Sequence, residues 1–325
     1  MSFSTQPLTF IVGMSRGGTT WMSTSLSRHH DIAVYGESMY WGRSFVPPNQ
    51  DGYYTNEHIQ KIKDRLSHKG ILGNDVGELI NINEKNIRQL LDLAVSKLPE
   101  HATPGDFFME ITNAISAFEN KSLVIEKTPH HINYIGLIRN YLPDARFIIM
   151  HRFPYDFMLS FKHQANRKKL NSFEKLSARL VYHPIGCALV WRKFYKSIKN
   201  AKEELPASSY CEIIFEDLKN SPDETLKIVQ KFLGVDIVPN LSSKMKNTSF
   251  PTGKRPQLKS DDIFWMNLIC HKELSDTGVK KLNCPNISDI FISFIKIPLW
   301  LPAAFLYLSR NVNGNVFSYI KKIIF

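Results

Sequence analysis

The chain has 325 residues, 43% hydrophobic and 22% charged, which gives apolar surface for a sizeable core and argues against a disordered polypeptide. Its 41 lysines and arginines against 30 acids leave a formal charge of +11 and a pI near 9.3, a balance suited to nucleic acid, a membrane surface or a phosphorylated ligand. Cys187, Cys211, Cys270 and Cys284 form no CxxC pair and no metal-ligand spacing, so they read as reduced thiols in a reducing compartment and not as a disulfide framework.

Met1 to Gln6 carries no positive cluster, so no signal peptide or N-terminal anchor is expected. Leu8 to Val12 is a short β-branched and aromatic run that predicts a buried strand. A helix over Gly18 to Arg28 and a strand over Ile32 to Tyr35 follow, then a loop at Pro47 to Tyr54, PPNQDGYY. Helical apolar spacing marks Glu84 to Leu98. Leu123 to Ile125 reads as a strand, His130 to Tyr141 as a helix and Phe147 to Met150 as a strand. Pro154 opens another helix from its first turn. A long helix is expected over about Ser172 to Ala201 with an interruption at Pro184, then a strand at Tyr210 to Phe215 and a helix over Pro222 to Leu233 ended by Gly234. Strands alternating with helices predict an α/β fold, a parallel sheet flanked by helices.

The stretch FIVGMSRGGTTW, residues 10 to 21, carries the chemistry. Gly13 and Gly18 have the spacing of a P-loop, between a strand and a helix as that motif requires, and the helix N-terminus favours an anion. A nucleotidase would continue with lysine and a magnesium-binding hydroxyl. Here Thr19 and Thr20 stand in those places, and the positive charge sits inside the loop at Arg16. A P-loop NTPase also needs an acid at the end of a neighbouring strand to hold magnesium. The best candidate strand, RFIIM, runs into His151 and Arg152 instead. A donor that carries phosphates yet reacts without metal fits this pattern, and a sulfuryl group carries less charge than a terminal phosphoryl group. A P-loop kinase or nucleotidase with a displaced basic residue is the alternative, and a non-catalytic nucleic-acid binder is disfavoured because no binding module is visible.

These residues resemble the sulfotransferases that use 3′-phosphoadenosine 5′-phosphosulfate (PAPS). The loop SRGGTTW is similar to their 5′-phosphosulfate loop. Arg152-Phe153-Pro154-Tyr155-Asp156 followed by Ser160 resembles their 3′-phosphate motif. EKTPHHINYIGLIRNYLPDARFIIMHR looks like the segment linking the two, and FEDLKNSPDETLKIVQKFLG like their "YEDL…P…FLG" stretch. The resemblance covers roughly residues 8 to 260. It implies a P-loop-type sheet, with Arg16, Gly17, Gly18, Thr19 and Thr20 on the 5′-phosphosulfate, Arg152 and Ser160 on the 3′-phosphate, and no metal. It implies Lys127 on the bridging oxygen as negative charge develops there. Lys254 and Arg255 in PTGKRP are candidates to close over the donor. Two departures stand out: Gly17 replaces a serine, removing a hydroxyl near the sulfate, and Phe215 replaces a tyrosine found in some members.

A base must take the proton of the acceptor hydroxyl. Glu37, in Tyr35-Gly36-Glu37, resembles the glutamate base of the tyrosylprotein and related carbohydrate-type sulfotransferases. His130, three residues after Lys127, is offset by one from the histidine of the cytosolic small-molecule type. Glu37 is the expected base. The expected acceptor is a hydroxyl on a glycan, lipid or small molecule, its pocket built from variable loops such as residues 40 to 80.

Residues 287 to 310, ISDIFISFIKIPLWLPAAFLYLSR, are the most apolar part of the chain, broken by Lys296, Pro298 and Pro302. With Trp300, Tyr307, Arg310, Lys321 and Lys322 they read as an interfacial segment, the alternative being helices that pack back on the catalytic part. The expected organisation is a catalytic domain over 1–260 and a C-terminal helical extension over 261–325. The expected location is the cytoplasm, peripheral at a membrane through 287–325.

Overall fold

A computed structural model describes residues 7–67, 84–163, 182–243 and 256–311. The chain divides into two compact units, Met1–His151 with Ile198–Lys244, and Arg152–Ser197 with Met245–Phe325. The first unit holds a five-stranded sheet of β1 (Thr9–Gly13), β2 (Ile32–Gly36), β3 (Leu123–Lys127), β4 (Arg146–His151) and β5 (Tyr210–Ile214). All pairings are parallel, in the order β2-β3-β1-β4-β5. This is the α/β architecture the strand–helix alternation predicts. Strands β1, β2 and β3 are buried along their whole length, and β1 and β2 read accordingly as mainly apolar runs, whereas β3 ends in Glu126 and Lys127.

Register decides what lies at the mouth of the sheet. Gly13 of β1 is opposite Met150 of β4, and the pairing continues one residue further, with Met14 N–H donating to Met150 O at 2.9 Å. Gly13 has φ +122, and a Cβ there would meet Met150 O at 2.1 Å, so only glycine lets the chain leave the strand this close to its neighbour.

Successive strand residues serve opposite faces of the sheet. Ile11, Val34, Ile125 and Ile148 form one buried cluster with Met22 and Leu26 of α1 (Thr19–Leu26) and with Leu226, Val229 and Leu233 of the helix Pro222–Leu233. Phe10 belongs to the other set. It stacks on Phe147 at 5.5 Å and on Phe108 at 5.4 Å, beside buried Tyr40, Trp41 and Phe107. Each such side chain stabilises the fold by ~1.5–3 kcal/mol.

Two helices of this unit escaped the sequence reading, α2 (Asn56–Ser67) and, after α3 (Glu84–Ser96), α4 (Pro104–Glu119). The second carries a readable start signal. Thr103 and Asp106 exchange backbone and side-chain hydrogen bonds as a capping box, with Pro104 in the first turn. The helix expected from His130 begins as a 3-10 turn, Pro129–Tyr134, and becomes α5 only over Ile135–Tyr141. After β4 comes α6, Pro154–Lys162. Pro184 opens helix α7, Pro184–Glu204, where an interruption is expected. Tyr182 and His183 just before it are not helical, and the earlier part of the expected helix lies outside the described residues. The strand expected through Phe215 stops at Ile214, and Phe215 starts α8 (Phe215–Asn220) ahead of α9 (Pro222–Leu233), which Gly234 ends as expected.

In the second unit, α6 packs on α10 (Ser260–Ile269) through a Lys162–Asp262 ion pair of 2.6 Å and the Tyr155 hydroxyl donating to Asn267. Helix α11 (His271–Asp276) follows, and α12 runs unbroken from Ile287 to Asn311 with Pro298 and Pro302 inside it.

Candidate active site

The loop from Met14 to Gly18 leaves β1 and turns into α1. Gly17 N–H donates to Met14 O at 2.9 Å, closing the loop on itself. Gly18 caps the helix in the left-handed region with φ 87, and no side chain caps α1. Intrahelical bonding begins with Met22 N–H on Gly18 O. The first-turn amides of Thr19 and Thr20 therefore have no intrahelical acceptor and point out of the N-terminus, where an anion is favoured. Arg16 adopts φ 67, which is uncommon for a residue with a Cβ.

Glu37 follows β2 directly, also in the left-handed region at φ 53. Its backbone N–H donates to Lys127 O at 2.7 Å, and its side chain accepts a 2.7 Å hydrogen bond from Lys127 Nζ. Lys127 ends β3 with a side chain 1% exposed, whereas that of Glu37 is 41% exposed. Among the described residues Glu37 is the sole partner of this buried ammonium. His130 is exposed, with Nε2 3.4 Å from Ser15 Oγ of the loop. Loop, Glu37, Lys127 and His130 are thus gathered in one unit, beyond the C-terminal ends of β1, β2 and β3.

Beneath them lies a network that the sequence reading missed. Glu126 Oε1 accepts from Ser38 Oγ at 2.8 Å, from Ser38 N–H at 3.3 Å and from the Thr128 hydroxyl. Its Oε2 lies 3.0 Å from His131 Nδ1, an ion-pair approach without an aligned hydrogen bond, both side chains being 1% exposed. Burial pushes this carboxyl up. The adjacent His131 and the hydrogen bonds of Thr128 and Ser38 outweigh it together and hold Glu126 below the usual carboxylate range. The signal was present in the alternation of β3: Glu126 pairs with Phe10, on the aromatic face, where an acid must have partners.

Arg152 follows directly on β4, its carbonyl accepting the Trp191 indole N–H at 3.0 Å. Ser160 lies in α6 and is 3% exposed. Both belong to the second unit. Lys254 and Arg255 lie outside the described residues.

A family description reading "Sulfotransferase family" matches residues 7–239. The chain belongs to the sulfotransferase family. Solved structures similar to it include the sulfotransferase domain from the curacin biosynthetic pathway, 18% identical, covering 73% of this chain and 76% of that one with a TM-score of 0.44. Others are the sulfotransferase domain of the Synechococcus PCC 7002 olefin synthase (17% identical, covering 92% and 95%, TM-score 0.46) and a sulfotransferase from Alicyclobacillus acidocaldarius (19% identical, covering 84% and 99%, TM-score 0.41). No curated protein matches the chain.

The two departures of this sulfotransferase both lie at the loop, and the one at Gly17 has a local reason. A Cβ at Gly17 would meet Met14 O at 2.7 Å, so the serine expected there does not fit the tight loop that Gly17 N–H closes. A Cβ at Gly18 would meet Phe215 Cδ2 at 2.4 Å. The Phe215 ring therefore lies over the loop and meets Trp21 edge-on at 6.2 Å.

The loop fits the phosphate end of a nucleotide donor, with glycines where backbone must come close and an uncapped helix start. A magnesium seat is harder to build from these side chains. Glu126, the acid on the strand beside β1, is already engaged by Ser38, Thr128 and His131. Among the described residues, His29, His30 and Asp31 form the one cluster with metal-ligand distances. Both ring nitrogens of His29 are occupied there, by Asp236 O at 2.9 Å and by the Asp31 N–H at 3.1 Å.

Proposed function

We propose that this sulfotransferase moves a sulfuryl group from 3′-phosphoadenosine 5′-phosphosulfate to a hydroxyl acceptor by in-line displacement without a metal. The observation that carries the reading is the Lys127–Glu37 pair beside the phosphate loop. The donor supplies an activated sulfur, whose bond to the phosphate oxygen breaks as the bond to the acceptor oxygen forms. Loop amides, Arg16, Thr19 and Thr20 hold the 5′ end, and Arg152 and Ser160 hold the 3′-phosphate. Glu37 takes the acceptor's proton, and Lys127 stabilises the charge left on the phosphate oxygen.

The pair couples these two roles. While Glu37 is ionised it holds the Lys127 ammonium at 2.7 Å. A proton arriving on Glu37 removes that attraction as negative charge grows on the leaving oxygen, so the ammonium is released to it when it is needed. A glutamate base after β2, as in the tyrosylprotein and carbohydrate types, supports an acceptor other than the small phenols of the cytosolic type.

Calorimetry in the presence of EDTA tests the donor. Arg152 and Ser160 make two hydrogen bonds to a charged group, ~1.5–3 kcal/mol each. 3′,5′-Bisphosphoadenosine should then bind at least about 10²-fold more tightly than 5′-AMP, and Arg152→Ala should erase most of the difference. Equal affinities, or binding that requires magnesium, would turn the assignment towards a kinase or nucleotidase.

A further inference from the structure

Helix α12 is apolar over most of its length apart from Ser288, Asp289, Ser293 and Lys296, yet among its described side chains only one stripe is covered. Ser293 is buried, its Oγ accepting the Trp265 indole N–H at 2.8 Å. Two turns on, Trp300 lies against Gly186 and 5.3 Å from the His183 ring. The opposite side stands open, with Phe291 67%, Ile295 61% and Leu299 62% exposed, and Ile287 and Leu301 exposed as well. At ~100° per residue, Phe291, Ile295, Pro298, Leu299 and Pro302 fall within one strip about 100° wide. A continuous apolar strip of this kind on a folded protein marks an interaction surface.

Length, attachment and charge identify the partner. The apolar stretch Ile287–Phe305 has 19 residues with 6% of them buried, about 28 Å of helix, long enough to cross a bilayer. A helix pinned along one side by Trp265 and His183 cannot, however, be surrounded by lipid. It can lie in the plane of a membrane with its free strip immersed. Between Lys280 and Phe325 the chain carries Lys280, Lys281, Lys296, Arg310, Lys321 and Lys322 against the single acid Asp289. Lys296 lies just beside the apolar strip and is exposed, where its ammonium reaches headgroups while the stem covers apolar surface. A second copy on the same strip would bring this basic segment of the sequence against its own copy, whereas an anionic bilayer complements it.

We infer that α12 docks the protein on anionic phospholipid membranes as an interfacial helix, with Phe291, Ile295 and Leu299 inserted below the headgroups. The inference stands independently of the transfer chemistry. Flotation of the full chain tests it, with vesicles of phosphatidylcholine and phosphatidylserine at about 7 to 3, alongside vesicles of phosphatidylcholine alone. The wild type should float with the mixed vesicles, and at least about tenfold less with the uncharged ones or at high salt. The triple variant Phe291→Asp/Ile295→Asp/Leu299→Asp changes exposed positions only and should stay at the bottom with an unchanged melting curve. A wild type that fails to float overturns the proposal without recourse to any variant. So does a triple variant that floats as before, or a wild-type dimer in light scattering that the triple variant dissociates while neither form binds lipid.

Discussion

Replacing Glu37 with glutamine separates the catalytic role proposed for the carboxylate from its structural one. The Lys127 side chain is 1% exposed and holds Glu37 Oε1 at 2.7 Å. A glutamine amide oxygen can occupy the place of Oε1, so Lys127 keeps an acceptor and loses only the charge on it. The difference between a hydrogen bond to a charged group, ~1.5–3 kcal/mol, and a neutral one, ~1 kcal/mol, sets the stability cost. Glu37 is 41% exposed, which screens that cost further. About 1 kcal/mol, or roughly 2 °C in Tm for a chain of this size, is the expected loss. Removing a general base costs ~10²–10⁴-fold in turnover, about 2.7–5.4 kcal/mol, several times the structural effect.

Single-turnover transfer from labelled donor and calorimetry with bisphosphoadenosine read the two quantities separately. Glu37→Gln should lose turnover by that factor while its bisphosphoadenosine affinity stays within a few-fold. Because the pair acts as a unit, Glu37→Gln/Lys127→Met should be little worse than the poorer single variant. His130→Asn should cost clearly less than Glu37→Gln. A Glu37→Gln enzyme with a near-normal rate, beside an inactive His130→Asn that still binds bisphosphoadenosine, would refute the assignment and make His130 the base.

The remaining predictions concern what holds this arrangement. Glu126→Gln keeps the acceptor for Ser38 and Thr128 but loses the charge facing His131, so it should cost about 2–3 kcal/mol, or about 4–6 °C in Tm. Because Glu126 is held below its ordinary range in the folded protein, its contribution is present above the unfolded value of about 4.3 and fades as pH falls through the folded value. The stability gap between wild type and variant should therefore shrink in acid; a gap that widens there contradicts the network. Gly18→Ala must place a Cβ 2.4 Å from Phe215 Cδ2 at φ +87. The backbone alone costs ~1–2 kcal/mol, and shifting the ring that lies over the loop should weaken bisphosphoadenosine binding in the same calorimetric assay; unchanged affinity would show that this loop does not hold the donor.

Much of this was legible because the signals were local. The run before Gly13 and the glycine spacing placed β1 and the loop, and Pro222 with Gly234 bracketed α9 at both ends. What escaped depended on contacts between distant segments. Helix α4 has a plain cap at Thr103, but its apolar residues serve both the sheet and α3, which blurs the one-sided periodicity. In Glu126-Lys127 the residue with the functional reading is Lys127, and the sequence reading gives the acid beside it no role. Only the pairing of Glu126 with Phe10, and the arrival of Ser38 from just beyond the end of β2, show that it is the more constrained of the two. The apolar tail was visible as composition, yet which side of α12 is covered depends on Trp265 and His183, far away in sequence.

Backbone conformation supplies an argument that composition could not. Among the described residues, five other than glycine have positive φ: Arg16, Glu37, Met39, Asn120 and Asn240. The two asparagines tolerate the left-handed region through their short polar side chains. Arg16, Glu37 and Met39 do not, and all three stand just past the ends of β1 and β2. Such conformations persist only where the surroundings over-determine them, and here they do. Between Glu37 and Met39, Ser38 gives both its amide and its hydroxyl to Glu126, while Ser38 Oγ in turn accepts the Tyr40 N–H at 3.2 Å. On the near side, Glu37 N–H is tied to Lys127 O. A solvated surface carboxylate needs no such scaffold. Buried hydrogen bonds on both sides of a strained residue fix the direction of its side chain, and that direction is the Lys127 ammonium. The left-handed turn at Glu37 therefore keeps one of its carboxylate oxygens on the Lys127 ammonium.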